Sequence, residues 1–330
     1  MSRPRRVVVA VVLVAVAALA GAEVALRAYG FGRGIRYRPH AALGWEMVPR
    51  QNAFNVRGRA PVRVNTLGFR GPEIPMPRPA STYRVLFLGD GSTLGNQTPE
   101  AATFPFLVRD GLQRRWPDRT IDIAVGAVSS YQLEQELELL RARAATVQPS
   151  AVVIGFCWND WAESCMRGPG LGPEAFAEYR GIHGWRRLAL ADFAHRLDKI
   201  RVRFRQTKSF ARGEGLPPSA NDAGIWTHVE AMLDSLAATA RVHGAEVVLL
   251  VIPARMTQHD APAFAARRAR LADWAARRGV RLADPQPAFA AASASGGLYL
   301  DEVHLGRAAQ PLVAASVVDA LAPPPPGAGS

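Results

Sequence analysis

The sequence predicts an α/β domain built on a parallel sheet with helices on both faces, preceded by a membrane-length apolar segment. Three observations carry this. Short apolar runs alternate with longer amphipathic stretches from Arg84 onward, the connections between them are mostly short, and an uncharged run of 16 residues from Val7 to Ala22 follows Arg3, Arg5 and Arg6.

Residues 1–27 read as a signal anchor. The basic flank keeps the N-terminus in the cytoplasm and sends the remainder across the membrane. A helix of about 20 residues spans the ~30 Å hydrocarbon layer, and the apolar pattern resumes beyond Glu23 as Val24, Ala25 and Leu26. The small-residue stretch Ala18 to Ala20 also suits a leader peptidase, and cleavage there would release an exported soluble form.

Residues 28–83 are rich in Pro, Arg and Gly and predict an irregular extension, with "LGWEMVP" (Leu43 to Pro49) and "VNTLGFRGPEIP" (Val64 to Pro75) as its more ordered pieces. Residues 84–322 form the α/β domain. Arg84 to Leu88, Thr120 to Val125, Ser150 to Phe156, Ala245 to Pro253 and Val280 to Asp284 are the expected strands. Phe104 to Trp116, Tyr131 to Val147, Trp226 to Gly244, Ala261 to Gly279 and Gly306 to Ala322 are the expected helices, the last interrupted near its start by Pro311. An insertion, 166–222, contains a basic amphipathic helix, Trp185 to Gln206, with Leu190, Phe193, Leu197, Ile200 and Phe204 on one face. Residues 323–330 are a Pro- and Gly-rich tail that predicts disorder.

Forty Lys and Arg against 28 Asp and Glu give a net charge of +12. In an exported domain without a nucleic-acid-binding motif, this charge reads as an arginine-rich solvated surface rather than a nucleic-acid site. The basic helix can lie against anionic lipid, an acidic glycan or plain solvent. Cys157 and Cys165 either form a disulfide or stay separate buried thiols, and two sulfurs without a histidine cluster predict no metal site. No cofactor motif is present in the sequence.

In parallel α/β sheets ligands bind beyond the carboxyl ends of the strands. Four stretches fall there: "GDGSTLG" from Gly89, "GAVSSYQ" from Gly126, "CWNDW" from Cys157 and "LDEVHLG" from Leu300. Asp301 and His304, three residues apart, suit a carboxylate that orients an imidazole general base. Asn159 suits an oxyanion donor or a turn residue, with Asp160 beside it. Trp158 and Trp161 either line a sugar cleft or pack inside.

In this order the four stretches resemble the SGNH or GDSL hydrolase family, over about Arg84 to Ala322. The resemblance implies a flavodoxin-like three-layer fold and cleavage or transfer of ester-linked acyl groups. It assigns His304 as base, Asp301 as its orienting carboxylate, and Gly91, Ser130 and Asn159 as oxyanion donors, with Asp90 and Asp160 structural near the site. The N-terminal segment and the "LGW" and "NTLGFRG" pieces resemble an exported, membrane-anchored branch of that family, some members of which act on acylated polysaccharides.

The family's glycine-aspartate-serine run falls on Gly89, Asp90 and Gly91, so a glycine holds the nucleophile position and Ser92 follows it. Two expectations stand. Either Ser92 is a shifted nucleophile in a turn that glycine lets rearrange, or the site is silent and the cleft serves glycan binding or assembly. The oxyanion turn departs too, with Val125, Ala127 and Ser130 where the family shows asparagine and two glycines.

Overall fold

The computed structural model describes residues 3–161, 187–211, 222–258, 261–292 and 296–321. Helix α1, Arg3–Tyr29, is 27 residues long and none of them is buried. At about 1.5 Å per residue it reaches ~40 Å, enough to cross a bilayer. Its last turns are tied to the domain. The Glu23 carboxylate accepts hydrogen bonds from the Ala189 and Leu190 amides at 2.9 and 3.0 Å. These are the first residues of the basic amphipathic helix α5, Ala189–Ala211. A carboxylate from one helix thus satisfies the open N–H groups of the other.

The expected irregular extension is instead ordered as two antiparallel hairpins, β1 (Tyr37–His40) with β2 (Gly44–Met47), and β3 (Gln51–Asn55) with β4 (Ala60–Val64). Alternation is weak in strands this short, and Pro39 and Pro61 mask it. After β4 the "NTLGFRG" piece closes on itself. Asn65 Oδ1 accepts from the Leu67 and Phe69 amides at 3.0 Å. This turn drives Phe69 and Arg70 inward, leaving them 2% and 1% exposed.

The main sheet contains β5 (Thr82–Gly89), β6 (Thr120–Val125), β7 (Ala151–Phe156), β8 (Glu246–Val251) and β9 (Arg281–Ala283). All four pairings are parallel and the order is β6-β5-β7-β8-β9. Numbering these strands one to five gives 2-1-3-4-5, the flavodoxin-like order expected. The chain therefore leaves β5 in one direction for β6 and returns in the other for β7, and right-handed crossovers put the two connecting helices on opposite faces. Those helices are α3 (Phe104–Arg115) and α4 (Leu133–Val147), which pack respectively on α9 (Gln310–Ala320) and α6 (Asp222–Val242). The four-residue α2 (Gly91–Leu94) follows β5, and α7 (Ala261–Arg277) and α8 (Gln286–Ala292) flank β9. Pro311 starts α9 rather than interrupting it, because the first turn needs no N–H. Buried on both faces, Val85, Leu86, Phe87 and Leu88 are 0% exposed, each contributing about 1.5–3 kcal/mol of burial.

Arg70 ties the extension to this sheet. Its amide donates to Val125 O at the end of β6, at 3.1 Å. Its guanidinium donates to the carbonyls of Leu94 (2.5 Å) and Thr98 (2.7 Å), on either side of the loop after α2. Burial lowers its pKa to about 10, with Glu100 opposing, so it stays charged at neutral pH. Arg70→Met is expected to cost about 2–4 kcal/mol, because two buried carbonyls each lose a donor. A urea midpoint equal to that of the wild type would show that the clamp carries no stability.

Candidate active site

Strand β5 ends at Gly89, whose φ of +148° lies in glycine territory and where a Cβ would collide with Thr93. Glycine is therefore required for the sharp exit from the strand. Asp90 then caps α2, its Oδ1 accepting the Ser92 amide at 2.7 Å, and Gly95 closes the turn in the left-handed region. This turn stands at the carboxyl end of β5, between β6 and β7, where the strand order changes direction.

Across the cleft, Asp301 Oδ1 accepts from the Val303 and His304 amides and lies 2.8 Å from His304 Nδ1. The imidazole is thus held by its own loop, leaving Nε2 outward. Nε2 sits 3.8 Å from the position a Cβ would take on Gly91. Burial alone would raise the Asp301 pKa. The His304 hydrogen bond and charge and the Arg57 guanidinium outweigh it and hold Asp301 well below the usual carboxylate range.

Of the residues assigned from sequence, the structure brings Gly91, His304 and Asp301 together. It does not bring the Ser92 hydroxyl to the base. Ser92 is 4% exposed and its Oγ lies 3.5 Å from Cys157 Sγ. Successive side chains on a helical turn diverge, so residue 91 faces the imidazole while residue 92 faces the core. The geometry thus runs against the expectation that Ser92 attacks.

Ser130 adopts φ +65°, keeping the left-handed corner that a glycine would supply. The corner is pinned by Val128 N to Gly89 O and Tyr131 N to Val128 O, both 3.1 Å. Neither the Gly91 nor the Ser130 amide donates to a protein acceptor among the described residues. Asn159 lies in the 3-10 turn Trp158–Trp161 just after β7. Trp161 is 2% exposed, with Phe156 and Trp226 against it, so it belongs to the core rather than to a sugar cleft. Cys157 is buried, and Cys165, its proposed disulfide partner, lies outside the described residues.

Three features escaped the sequence reading. Arg57, in the turn between β3 and β4, donates to Asp301 Oδ2 at 2.6 Å and to Leu300 O at 2.8 Å. No local signal marks a contact made across 244 positions. Ser129 Oγ lies 3.5 Å from the Gly91 Cβ position, and the Ser129–Ser130 doublet was its only sequence signal. Glu136, within the charged helix α4, is buried instead of solvated.

Glu136 belongs to an acidic layer behind the site. Asp90, Glu136 and Asp160 are all buried, and burial pushes each pKa up. For Glu136 and Asp160 the neighbouring carboxylates push further in the same direction, although Asp160 Oδ2 accepts the Cys157 amide at 2.8 Å. No group of His, Cys, Asp and Glu among the described residues is arranged to hold a metal ion.

No protein-family model matches the chain, and no curated protein matches it. Solved structures are similar in fold at low identity. A member of the lipolytic G-D-S-L family from Veillonella parvula has TM-score 0.45 and 12% identity, covering 72% of this chain and 97% of its own. Esterase EstA from Pseudoalteromonas sp. has TM-score 0.41 and 15% identity over 72% and 95% of the two chains. Axe2, an acetyl-xylooligosaccharide esterase from Geobacillus, has TM-score 0.42 and 15% identity over 72% and 93%.

The acidic layer predicts a pH signature. The folded state holds the Glu136 proton to higher pH than the unfolded chain, so its contribution is fully present below the unfolded value near 4.5 and is lost as pH rises. Glu136→Gln is expected to raise Tm relative to wild type at pH 8 and to lose that advantage toward pH 4.5. A difference independent of pH would show that Glu136 does not titrate in this window.

Proposed function

We propose that this chain is an SGNH-type enzyme acting on carboxylic esters, as hydrolase or O-acyltransferase, held at a membrane by α1 with the catalytic domain outside the cytoplasm. One observation carries the catalytic reading. The His304 imidazole is fixed by Asp301 at 2.8 Å, and its free face looks across the cleft at the Gly91 turn.

In this arrangement His304 Nε2 takes the proton of an attacking hydroxyl, and the ionised Asp301 stabilises the imidazolium that forms. The Gly91 and Ser130 amides, which have no protein acceptor among the described residues, are available to the oxyanion. Asn159, by its position after β7, is the third donor that the resemblance implies. An acylated glycan or a small acyl ester is the substrate class. The arginines in the first turns of α1 favour a cytoplasmic N-terminus, which puts the sheet on the opposite side.

The second reading is a silent site that binds an acylated glycan without turnover, or serves as an assembly scaffold. The bare Gly91 and the inward Ser92 favour it. Hydrolysis of p-nitrophenyl acetate by the purified full chain in detergent separates the two. Wild-type turnover is expected, with His304→Ala reducing it by about 100-fold or more and Ser92→Ala leaving it within about threefold, the effect of a buried hydroxyl held against Cys157 rather than against the base. Absence of turnover beyond the His304→Ala level supports the silent reading.

A C-terminally tagged chain is expected to stay in the membrane pellet after high-salt washing at its full length. A soluble product shortened by about 20 residues would mean that the apolar run is a cleaved leader.

A further inference from the structure

We infer that Ser129 supplies the attacking hydroxyl that Gly91 lacks, making the loop after β6 the source of the nucleophile. The inference rests on the ester-acting reading above and deepens it.

A Cβ on Gly91 would stand 3.8 Å from His304 Nε2 and 3.5 Å from Ser129 Oγ. The base and the Ser129 hydroxyl therefore border the same small volume, the one a side chain at position 91 would fill. Ser92, by contrast, directs its hydroxyl 3.5 Å from a buried thiol. Ser129 is half-buried, and its hydroxyl takes no hydrogen bond from any described group, so using it disrupts nothing.

Its backbone is held firmly. Gly126 N donates to Phe87 O at 2.9 Å, and Val128 N donates to Gly89 O at 3.1 Å. On the far side, Tyr131 is 0% exposed and donates its hydroxyl to Trp45 O at 2.5 Å. A hydroxyl on a corner pinned at both ends keeps its position relative to the base, as a nucleophile requires. The Ser129 hydroxyl and Nε2 do not bond each other directly, and contacts of this kind commonly tighten only when substrate binds.

The step balances without a further reactant. Ser129 Oγ bonds the ester carbonyl carbon while its proton passes to His304 Nε2. The carbon–oxygen bond to the alcohol breaks, and the alcohol leaves with the proton from His304. Water or an acceptor hydroxyl then attacks the Ser129 ester, gives its proton to His304, and releases the acyl group while the proton returns to Ser129.

The test uses the full chain in detergent micelles with a fluorophosphonate probe and p-nitrophenyl acetate. Mass spectrometry is expected to place the phosphonyl adduct on Ser129. Ser129→Ala is expected to lower both labelling and turnover by about 100-fold, and Ser129→Ala combined with His304→Ala to be hardly worse than either alone, as in a unit that acts together. Acid quenching during turnover is expected to trap the acetyl group on the Ser129 peptide of the unaltered protein, a readout that needs no variant to fold. An adduct on Ser92 or Ser130, or turnover lost in His304→Ala but kept in Ser129→Ala, overturns Ser129 as nucleophile while leaving the ester-acting reading in place. Turnover indifferent to both substitutions overturns both.

Discussion

A buried cation joins the parts of this protein that would otherwise be separate. Arg70 reaches from the extension beneath the turn after β5, and its guanidinium holds the Leu94 and Thr98 carbonyls while its backbone pairs with the end of β6. At 1% exposure the guanidinium keeps its two terminal nitrogens on these carbonyls, while Nε has no partner among the described groups. The loop after α2 thus cannot move without uncovering a charge. The Asn65 turn that delivers Arg70 is a condition for the shape of the site although it contributes no atom to the chemistry.

The same extension reaches the opposite wall of the cleft. Arg57 bridges Asp301 and the Leu300 carbonyl, so the carboxylate that orients His304 is held by a residue from a hairpin outside the α/β domain. Further contacts continue the seam: Tyr131 donates to Trp45 O, and Gln135 Nε2 to Leu43 O at 2.8 Å. The hairpins therefore act as a brace around the carboxyl ends of the strands, and through Phe31 and Glu23 that brace continues into the membrane-length helix and α5. The cleft and the apolar N-terminal helix are joined by packed contacts rather than by a loose tether.

Charge is divided across the cleft. In front, Asp301 is kept ionised by His304 and Arg57. Behind, Asp90, Glu136 and Asp160 sit where burial favours their protonated forms. The His304 charge opposes burial at Asp90 and draws that pKa back down, so the acid directly behind the turn senses the imidazole as well. Glycine at position 91 opens space at that point, and the neighbouring hydroxyl on the pinned corner borders it.

The sequence by itself determined the α/β class, the five strands to within a few residues, the apolar N-terminal helix, and the pairing of Asp301 with His304. These are local properties, since periodicity and a three-residue spacing are written in contiguous residues. Ordering of the hairpins, the exchange of Ser92 for Gly91 as the residue facing the base, and the burial of Glu136 were decided only by tertiary structure. So was the reach of Arg57, because contacts across 244 positions leave no local pattern. A side chain's direction on a four-residue turn depends on the strand exit that Gly89 and Thr93 enforce together, and only the packed sheet brings those constraints to the same place.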